Sequence, residues 1–504
     1  MLIGQAIYFG YQNILPLAPQ STHQWRQTDC VSFAWGYTYR TVNLFTPQMN
    51  NRLYAGNGKV AAEFPILYYI GGMLMRLVGF EPVILRLINL LIVFWGLWTA
   101  FLLGRIVLGD AFWAGWLPLL LFTSPILVFY TNNFLPDAPA LALAIAGWYF
   151  FARHVTEAQR QMRSWLLALG LFTLAALLKA SAGISLVALL SLYVFDVLGW
   201  ADLRRGETTR LFPFAPRAYV LSFLLALLPL VAWYIYATWY SLGALSPDYF
   251  GYLVKPAFSL EPQVFGWVVW NLATYSATYF FPPLGYLVIG AAAVLAWSRI
   301  GRRAPVLFGL SILLPLGSLI YMYLFFELLV PHDYYLIACL IAVAGLLLAG
   351  ARVMLQRFPV MARSVSFKVC MSVLLALLIH STKSHMMMRY YRGHLHQRMA
   401  DAFYDRGLED FLSGAGATAD QLVISLPDVS PNTSLVLMPR MGLTSYNIPE
   451  NNPRYIREWM QRLPVRYLVV SDSAVLHQDG MEGLLDHPLG EFQGLKLYDL
   501  RPER

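Results

Sequence analysis

Long apolar runs recur along most of the chain, and each has the length that a membrane-spanning helix requires. Of the 504 residues, 58% are hydrophobic and only 13% are charged, and the mean hydropathy is +0.54. A soluble domain carries about 25% charged residues, so one water-soluble core does not account for this composition. The sequence therefore predicts a polytopic integral membrane protein.

The predicted fold class is an all-α membrane bundle of about eleven transmembrane helices, allowing for tilt and for short ends. The apolar runs lie at residues 2–18, 83–104, 111–130, 138–152, 164–178, 181–199, 218–240, 283–297, 305–326, 334–350 and 367–382.

Basic residues are concentrated in four loops, and pairs of predicted spans separate these loops. The positive-inside rule places all four on the cytoplasmic side. This bias accounts for the net charge of +8 without a nucleic-acid partner, and no RNA- or DNA-binding motif competes with it. The residues are Arg153, Arg160 and Arg163; Arg204, Arg205, Arg210 and Arg217; Arg299, Arg302 and Arg303; and Arg352, Arg357, Arg363 and Lys368.

The apolar stretch 64–79 would reverse this orientation if it crossed the membrane. We therefore predict that it is an amphipathic helix on the outer interface, within a first external loop at residues 19–82, with Tyr68 and Tyr69 at the headgroup level. The alternative is that 64–79 crosses and that 2–18 does not.

The last part of the chain differs from the rest because it is richer in charge and mixes helix and strand patterns. We predict a transmembrane catalytic domain at 1–384 and a small soluble α/β domain at 385–504, which the odd number of spans places outside, in the periplasm. The predicted strands are LVISL (422–426), SLVLM (434–438) and RYLVVSD (466–472), and the predicted helices are 396–413 and 453–462.

Ionisable residues at the outer ends of the spans are the candidate functional residues, because charge at membrane depth is costly and is usually functional. Because successive spans cross the membrane in opposite directions, the predicted spans place all of these residues on the same face. They are Arg26 and Asp29 in HQWRQTDC, Glu63 in EFP, Asp137 in NNFLPDAP, Lys179 in LLKASAG, and His332 and Tyr335 in ELLVPHDYY.

These residue types fit the binding of a lipid phosphate and its chemistry. Arg26 and Lys179 can neutralise phosphate, and Asp29 can act as a general base. Asp137 or Glu63 can position an acceptor or share a divalent cation. No cofactor is certain; the metal alternative stays open, with Asp29 and Asp137 as candidate ligands.

Each candidate also has a purely structural alternative. These are helix capping for Asp137, snorkelling to headgroups for Lys179, an ordinary interfacial histidine for His332, a surface pair between Arg26 and Asp29, and a helix-dipole charge for Glu63.

WRQTD, EFPILYYIGGMLMRLVGFEPVILRLIN, NNFLPDAPAL, LLKASAG and PHDYYL resemble, in this order, motifs of the GT-C glycosyltransferases. The resemblance is to the bacterial protein-mannosyltransferase-like and aminoarabinose-transferase-like members, known as family 39-like, and it covers roughly residues 20–350. It implies a polyprenyl-phosphate-linked sugar as donor and transfer with inversion on the periplasmic face of the bacterial inner membrane.

The resemblance also implies roles for single residues. Asp29 matches the first-loop base, Asp137 the second acidic residue of the cavity, and Lys179 a contact to the donor phosphate. His332 and Tyr335 match a region near the lipid-phosphate site. Many relatives carry an acidic pair in the first loop, whereas Asp29 is followed by Cys30, and the next carboxylate is Glu63. The resemblance is therefore closer to the bacterial relatives that modify lipid A, lipopolysaccharide core or other glycans than to those that mannosylate proteins, and the acceptor is a lipid, a polysaccharide or a protein.

Two other classes of function remain as alternatives. A transporter or lipid-carrier flippase would show charges in the middle of spans and paired repeats. A non-catalytic receptor would leave the ordered cluster of ionisable residues unexplained. We therefore expect a glycosyltransferase.

Overall fold

The computed structural model of the chain describes residues 1–156, 161–199, 211–242, 254–298, 304–390 and 399–500. Helices dominate it, because a backbone in lipid must satisfy its own hydrogen bonds. In chain order the α-helices are α1 (Leu2–Tyr8), α2 (Tyr11–Ile14), α3 (Gln24–Tyr39), α4 (Ile66–Val78), α5 (Val83–Leu108), α6 (Ala111–Leu121), α7 (Pro125–Thr131), α8 (Asp137–Thr156), α9 (Met162–Leu178), α10 (Ile184–Leu198), α11 (Pro216–Tyr240), α12 (Pro262–Asn271), α13 (Ala277–Phe280), α14 (Pro283–Ala296), α15 (Pro305–Leu324), α16 (Leu340–Arg357), α17 (Pro359–Arg363), α18 (Val365–Met388), α19 (Gly407–Gly414), α20 (Thr433–Leu437), α21 (Pro453–Arg462) and α22 (Ser473–Leu476).

Six helices among the described residues are long and apolar enough to cross a membrane, or eight if each of two bent pairs forms one span. The bends are 78° between α6 and α7 and 93° between Pro262–Phe280 and α14. Pro125 and Pro283 open the second helix of each pair, where a missing N–H costs least. The structure thus supports a multi-pass bundle but not the predicted number of eleven.

Residues 2–18 do not form the single span that we predicted. Gly10, at a φ of +80°, separates the seven-residue α1 from the four-residue α2, and neither helix has the length of a span. The stretch 64–79 does form a helix, the 13-residue α4, which is likewise short for a span.

The basic loops are only partly described. Arg160, Arg204, Arg205, Arg210, Arg299, Arg302 and Arg303 lie outside the described residues. The orientation of the chain therefore stays a prediction.

The chain divides into two compact units. The helical unit comprises the described parts of Met1–Ile14, Leu87–Trp233 and Tyr252–Met388, and the α/β unit comprises those of Leu15–Arg86, Tyr234–Gly251 and Arg389–Arg504. This division differs from the predicted boundary between 384 and 385, because the first external loop belongs to the same unit as the C-terminal sheet.

In the helical unit, three helix ends carry candidate residues. Asp137 is the first residue of α8, and Lys179 lies between α9 and a 3-10 turn at Ala180–Gly183. A second 3-10 segment, Asp333–Cys339, follows His332 and leads into α16. Helix α8 packs closely against α9, since a Cβ on Gly147 would meet the ring of Phe172.

The α/β unit contains a five-stranded sheet in the order β2-β1-β3-β5-β4. Strands β1, β2 and β3 are parallel, with Leu422 beside Met441 and Val465, and β5 runs antiparallel to both β3 and β4. The strands are β1 (Leu422–Leu426), β2 (Met441–Thr444), β3 (Val465–Val470), β4 (Pro488–Phe492) and β5 (Leu495–Asp499).

Three of the five predicted C-terminal elements agree with the structure: LVISL is β1, RYLVVSD overlaps β3 in all but its first residue, and 453–462 is α21. The strand prediction for SLVLM is wrong, because this run forms α20 and its apolar residues pack on the sheet instead of joining it. The helix predicted over 396–413 falls partly outside the described residues; its later part is a 3-10 turn (Asp401–Tyr404) followed by α19.

The segment that we predicted as the first external loop is built into this sheet domain. Asn51 forms a parallel bridge with Gly442 at the β2 edge, where the Arg52 N–H donates to the Gly442 carbonyl at 2.9 Å. From α3, Trp35 packs into the apolar core that also contains Ile424. The predicted polar loop is thus a folded part of the domain, and α3 is fixed against the sheet.

Candidate active site

Arg26 and Glu63 are brought together in the α/β unit. The Arg26 guanidinium donates to Glu63 Oε1, and the Tyr68 hydroxyl donates to the same oxygen at 2.6 Å. Arg26 lies on α3 and Tyr68 on α4, so Glu63 joins the two helices. We predicted Tyr68 at the headgroup level, but its side chain is buried within the unit.

Cys30 lies behind this cluster, with its sulfur 3.3 Å from the Tyr68 hydroxyl. Burial, with a smaller contribution from Glu63, raises the pKa of the Cys30 thiol to about 12. A thiol with such a pKa stays protonated at neutral pH and is a poor nucleophile. Cys30 is therefore a packing residue.

Asp29 is buried, with 2% of its surface exposed, and its Oδ1 accepts a hydrogen bond of 2.8 Å from Asn432 Nδ2. Asn432 belongs to the loop between β1 and α20. One turn of α3 further on, Ser32 donates to Asn432 Oδ1 at 3.0 Å or to Asn50 Oδ1 at 2.8 Å. The carboxylate of Asp29 is thus held by the amide of Asn432, which the Ser32 hydroxyl can hold in turn.

Lys179 and Asp137 form an ion pair in the helical unit. The Lys179 Nζ lies 3.1 Å from Asp137 Oδ1, and the side chains are 17% and 2% exposed. The same ammonium lies 5.0 Å and 4.6 Å from the ring centroids of Tyr334 and Tyr335, within cation–π distance. This cluster holds a cation at the joined ends of three helical segments.

His332 completes the aromatic side of the cluster. Its Nδ1 is 3.0 Å from the Tyr334 hydroxyl, and its ring centroid is 5.4 Å from that of Tyr335. Beside it, Tyr130 donates to Asp333 at 2.7 Å, which ties the 3-10 segment to α7.

The candidate residues thus form two groups, each within one compact unit. Arg26, Glu63 and Asp29 are in the α/β unit. Asp137, Lys179, His332 and Tyr335 are in the helical unit.

A metal site is not evident at either carboxylate. The described residues contain no group of three or more His, Cys, Asp or Glu side chains that could hold a metal ion. Asp137 faces an ammonium and Asp29 faces an amide N–H, and both are hydrogen-bond donors rather than metal ligands. No step below depends on a divalent cation.

Sequence reasoning missed the polar residues of the sheet domain that contact Asp29. The available signal was PDVSPNTS, a cluster of Asp, Ser and Asn directly after the buried strand β1. Polar groups at the carboxyl ends of parallel strands commonly form binding sites. The polar cluster indicates that this loop is a candidate site but does not predict that the loop contacts Asp29.

No protein-family model and no curated protein sequence matches the chain. Solved structures do. A mycobacterial arabinofuranosyltransferase, AftD, is similar with a TM-score of 0.60 and 13% identity over 99% of this chain and 39% of that chain. The Archaeoglobus fulgidus oligosaccharyltransferase with Zn and sulfate gives a TM-score of 0.55 and 13% identity over 93% of this chain and 68% of that chain.

The same archaeal enzyme, AglB, in complex with an inhibitory peptide and a dolichol-phosphate gives a TM-score of 0.53 and 14% identity. That match covers 93% of this chain and 69% of that chain. The chain thus spans about two thirds of the archaeal protein and well under half of AftD. At this identity the likeness concerns the fold, and the chain has the fold of the GT-C glycosyltransferases.

Proposed function

We propose that the chain is a glycosyltransferase that moves a sugar from a polyprenyl-phosphate donor to an extracytoplasmic acceptor. The observation that carries the proposal is Asp29, a buried carboxylate held by a side-chain amide on a helix that directly follows the first apolar segment. A buried, oriented carboxylate is costly to maintain and is typical of functional sites. The GT-C fold supports the same class of reaction.

In the proposed reaction an acceptor hydroxyl attacks the anomeric carbon of the donor sugar. Asp29 accepts the hydroxyl proton as the new C–O bond forms. The bond between the anomeric carbon and the phosphate oxygen breaks, and its electron pair leaves with the phosphate. The products are the glycosylated acceptor and the polyprenyl phosphate, and a single displacement inverts the anomeric configuration.

The leaving phosphate needs positive charge more than it needs an acid. We propose that Lys179 supplies this charge, because its ammonium is fixed by Asp137 and by two tyrosine rings. In this assignment His332 and Tyr335 flank the phosphate, and within the α/β unit Glu63 orients Arg26. The dolichol-phosphate bound to AglB supports a lipid phosphate as the carrier class.

The location of the reaction belongs to the same proposal. We place the active residues and the C-terminal sheet on the periplasmic or extracellular side of a bacterial inner membrane. The acceptor is a glycan, a lipid or a protein that is exposed on that side.

The test is the Asp29→Asn variant of the full chain, reconstituted in vesicles with a panel of undecaprenyl-phosphate-linked hexoses and pentoses and an envelope extract as acceptor. Release of undecaprenyl phosphate, measured by mass spectrometry, reports transfer whichever sugar is accepted. We expect the wild type to release the carrier and Asp29→Asn to do so about 10²–10⁴-fold more slowly, since a positioned base contributes that much.

The matched control is Asp472→Asn, because Asp472 is an exposed N-cap of α22 and Asn caps equally well. It should keep wild-type activity. Full activity of Asp29→Asn would refute the base, and transbilayer movement of the lipid without transfer, unaffected by Asp29→Asn, would indicate a flippase. Mass spectrometry of envelope glycans and lipids from a deletion strain would then name the missing sugar.

A further inference from the structure

The amide of Asn432 is the polar group of the C-terminal sheet domain that touches the proposed base. Its Nδ2 lies 2.8 Å from Asp29 Oδ1, and both side chains are buried. The two residues belong to one compact unit although 403 positions separate them. This hydrogen bond has a charged acceptor, which makes it one of the stronger kinds.

The orientation of the Asn432 amide follows from its other contacts. The backbone N–H of Asn51 donates to Asn432 Oδ1 at 3.1 Å, and a backbone N–H can only donate. The oxygen of the amide must therefore face Asn51. Its NH₂ group is left to face Asp29, so Asn432 donates to the carboxylate.

The loop that carries Asn432 is itself held firmly. Asp428 Oδ1 accepts from the backbone N–H and the hydroxyl of Ser430 at 3.0 and 2.6 Å, and its Oδ2 accepts from the Ser434 N–H at 2.7 Å. Directly after Asn432, the Thr433 hydroxyl lies 3.2 Å from the Thr28 hydroxyl on α3. These contacts leave the amide little freedom to move away from Asp29.

We propose that Asn432 is a positioning residue for Asp29, so that the C-terminal sheet domain is part of the catalytic machinery. This rests on the proposed function of Asp29. A hydrogen bond to a carboxylate favours its ionised form, which is the form that accepts a proton. It also fixes one oxygen of Asp29 and so directs the other.

Other ionisable groups of the same unit must be kept unchanged in a test. They are Arg26 and Cys30 on α3, Glu63 and Tyr68 of the neighbouring cluster, and Asp428 in the loop that packs on α3. A substitution at position 432 leaves all of them in place.

The experiment compares the pH dependence of kcat/KM for the wild type, Asn432→Ala and Asn432→Asp in the reconstituted carrier-release assay. Loss of the hydrogen bond from Asn432 should move the acidic limb of the profile to higher pH by about one unit. At pH values below this limb, kcat/KM should be about tenfold lower than in the wild type. In Asn432→Asp, a second carboxylate beside Asp29 should move the acidic limb to a still higher pH. Activity should recover in part at alkaline pH in both variants.

Asn452→Ala is the matched control, because Asn452 is an exposed N-cap of α21 in the same unit. It should lose some thermal stability and keep the wild-type pH profile. An acidic limb that does not move in Asn432→Ala and Asn432→Asp, with both proteins folded by thermal unfolding, would overturn the positioning role. Full activity of Asp29→Asn would instead refute the base itself, so the two failures are distinguishable.

Discussion

Lys179 and Asp137 belong to different helical segments, and their ion pair lies almost entirely out of water. Lys179→Met takes the ammonium from a buried carboxylate, and breaking such a pair costs about 3–5 kcal/mol. We expect a lower midpoint of thermal unfolding. We also expect at least tenfold weaker binding of undecaprenyl phosphate, measured by native mass spectrometry on the full chain.

The double variant Lys179→Met with Asp137→Leu separates stability from binding. Replacing both partners of a buried pair by hydrophobic residues of similar volume is often close to neutral for stability. The unfolding midpoint should therefore return toward that of the wild type, while lipid binding stays weak. Wild-type binding of undecaprenyl phosphate in either variant would rule out Lys179 as the phosphate contact.

At the scale of elements, the loop from Asp428 to Ser434 depends on a carboxylate with 0% exposure. Burial raises the pKa of Asp428 above that of the unfolded chain, although the hydrogen bonds from Ser430 and Ser434 oppose this. The folded state then binds the proton more tightly than the unfolded state. The contribution of Asp428 to stability is therefore fully present below the unfolded pKa and is lost as pH rises through the folded pKa.

Comparison of wild type with Asp428→Asn measures this effect. As the pH falls from 7 toward 4, the unfolding midpoint of the wild type should rise relative to that of Asp428→Asn. Asp405 supplies a control of opposite sign, because hydrogen bonds from Gly407 and Gln493 lower its pKa. The wild type should keep its advantage over Asp405→Asn from pH 7 down to about pH 4 and lose it only as the pH falls further through the folded pKa. A loss of this advantage that begins well above about pH 4 would contradict the assignment for Asp405.

The elements that the sequence predicted correctly are those with a distinctive local pattern. LVISL and RYLVVSD are rich in β-branched residues, and PRYIREWMQR has helical amphipathicity with Pro453 at its start. SLVLM has the same composition as a strand, and a five-residue apolar run does not separate strand from helix. Strand β4 was missed because Pro488 and Gly490 make PLGEF read as a turn.

At the scale of the whole molecule, predictability depends on how the residues of a site are related along the chain. Asp137 and Lys179 sit at successive helix ends, so the alternation of spans was enough to predict their proximity. Asn432 meets Asp29 across 403 positions from the loop after β1, and no periodicity in the sequence indicates such a contact. The sequence thus indicated Asp29 as a candidate and predicted the C-terminal domain, but it did not predict the contact between them.

The alternation of spans across the membrane also predicts on which side of the membrane each part of the chain lies. Asp479 is exposed in the α/β unit, and Gln356 is exposed near the end of α16 beside predicted cytoplasmic arginines. A Cys370→Ser background removes the exposed cysteine, while Cys30 and Cys339 are buried. The variants Asp479→Cys and Gln356→Cys in this background then report the two sides separately.

An impermeant maleimide applied to intact spheroplasts should label Asp479→Cys, whereas Gln356→Cys should react only after the cells are permeabilised. This follows because arginine-rich loops stay in the cytoplasm, and the sheet domain is joined through Asn51 to the first external segment. The background protein without either new cysteine sets the unreacted level. The reverse pattern would place Asp29 and its acceptor in the cytoplasm, and a donor carried by an extracytoplasmic lipid phosphate would then be out of reach.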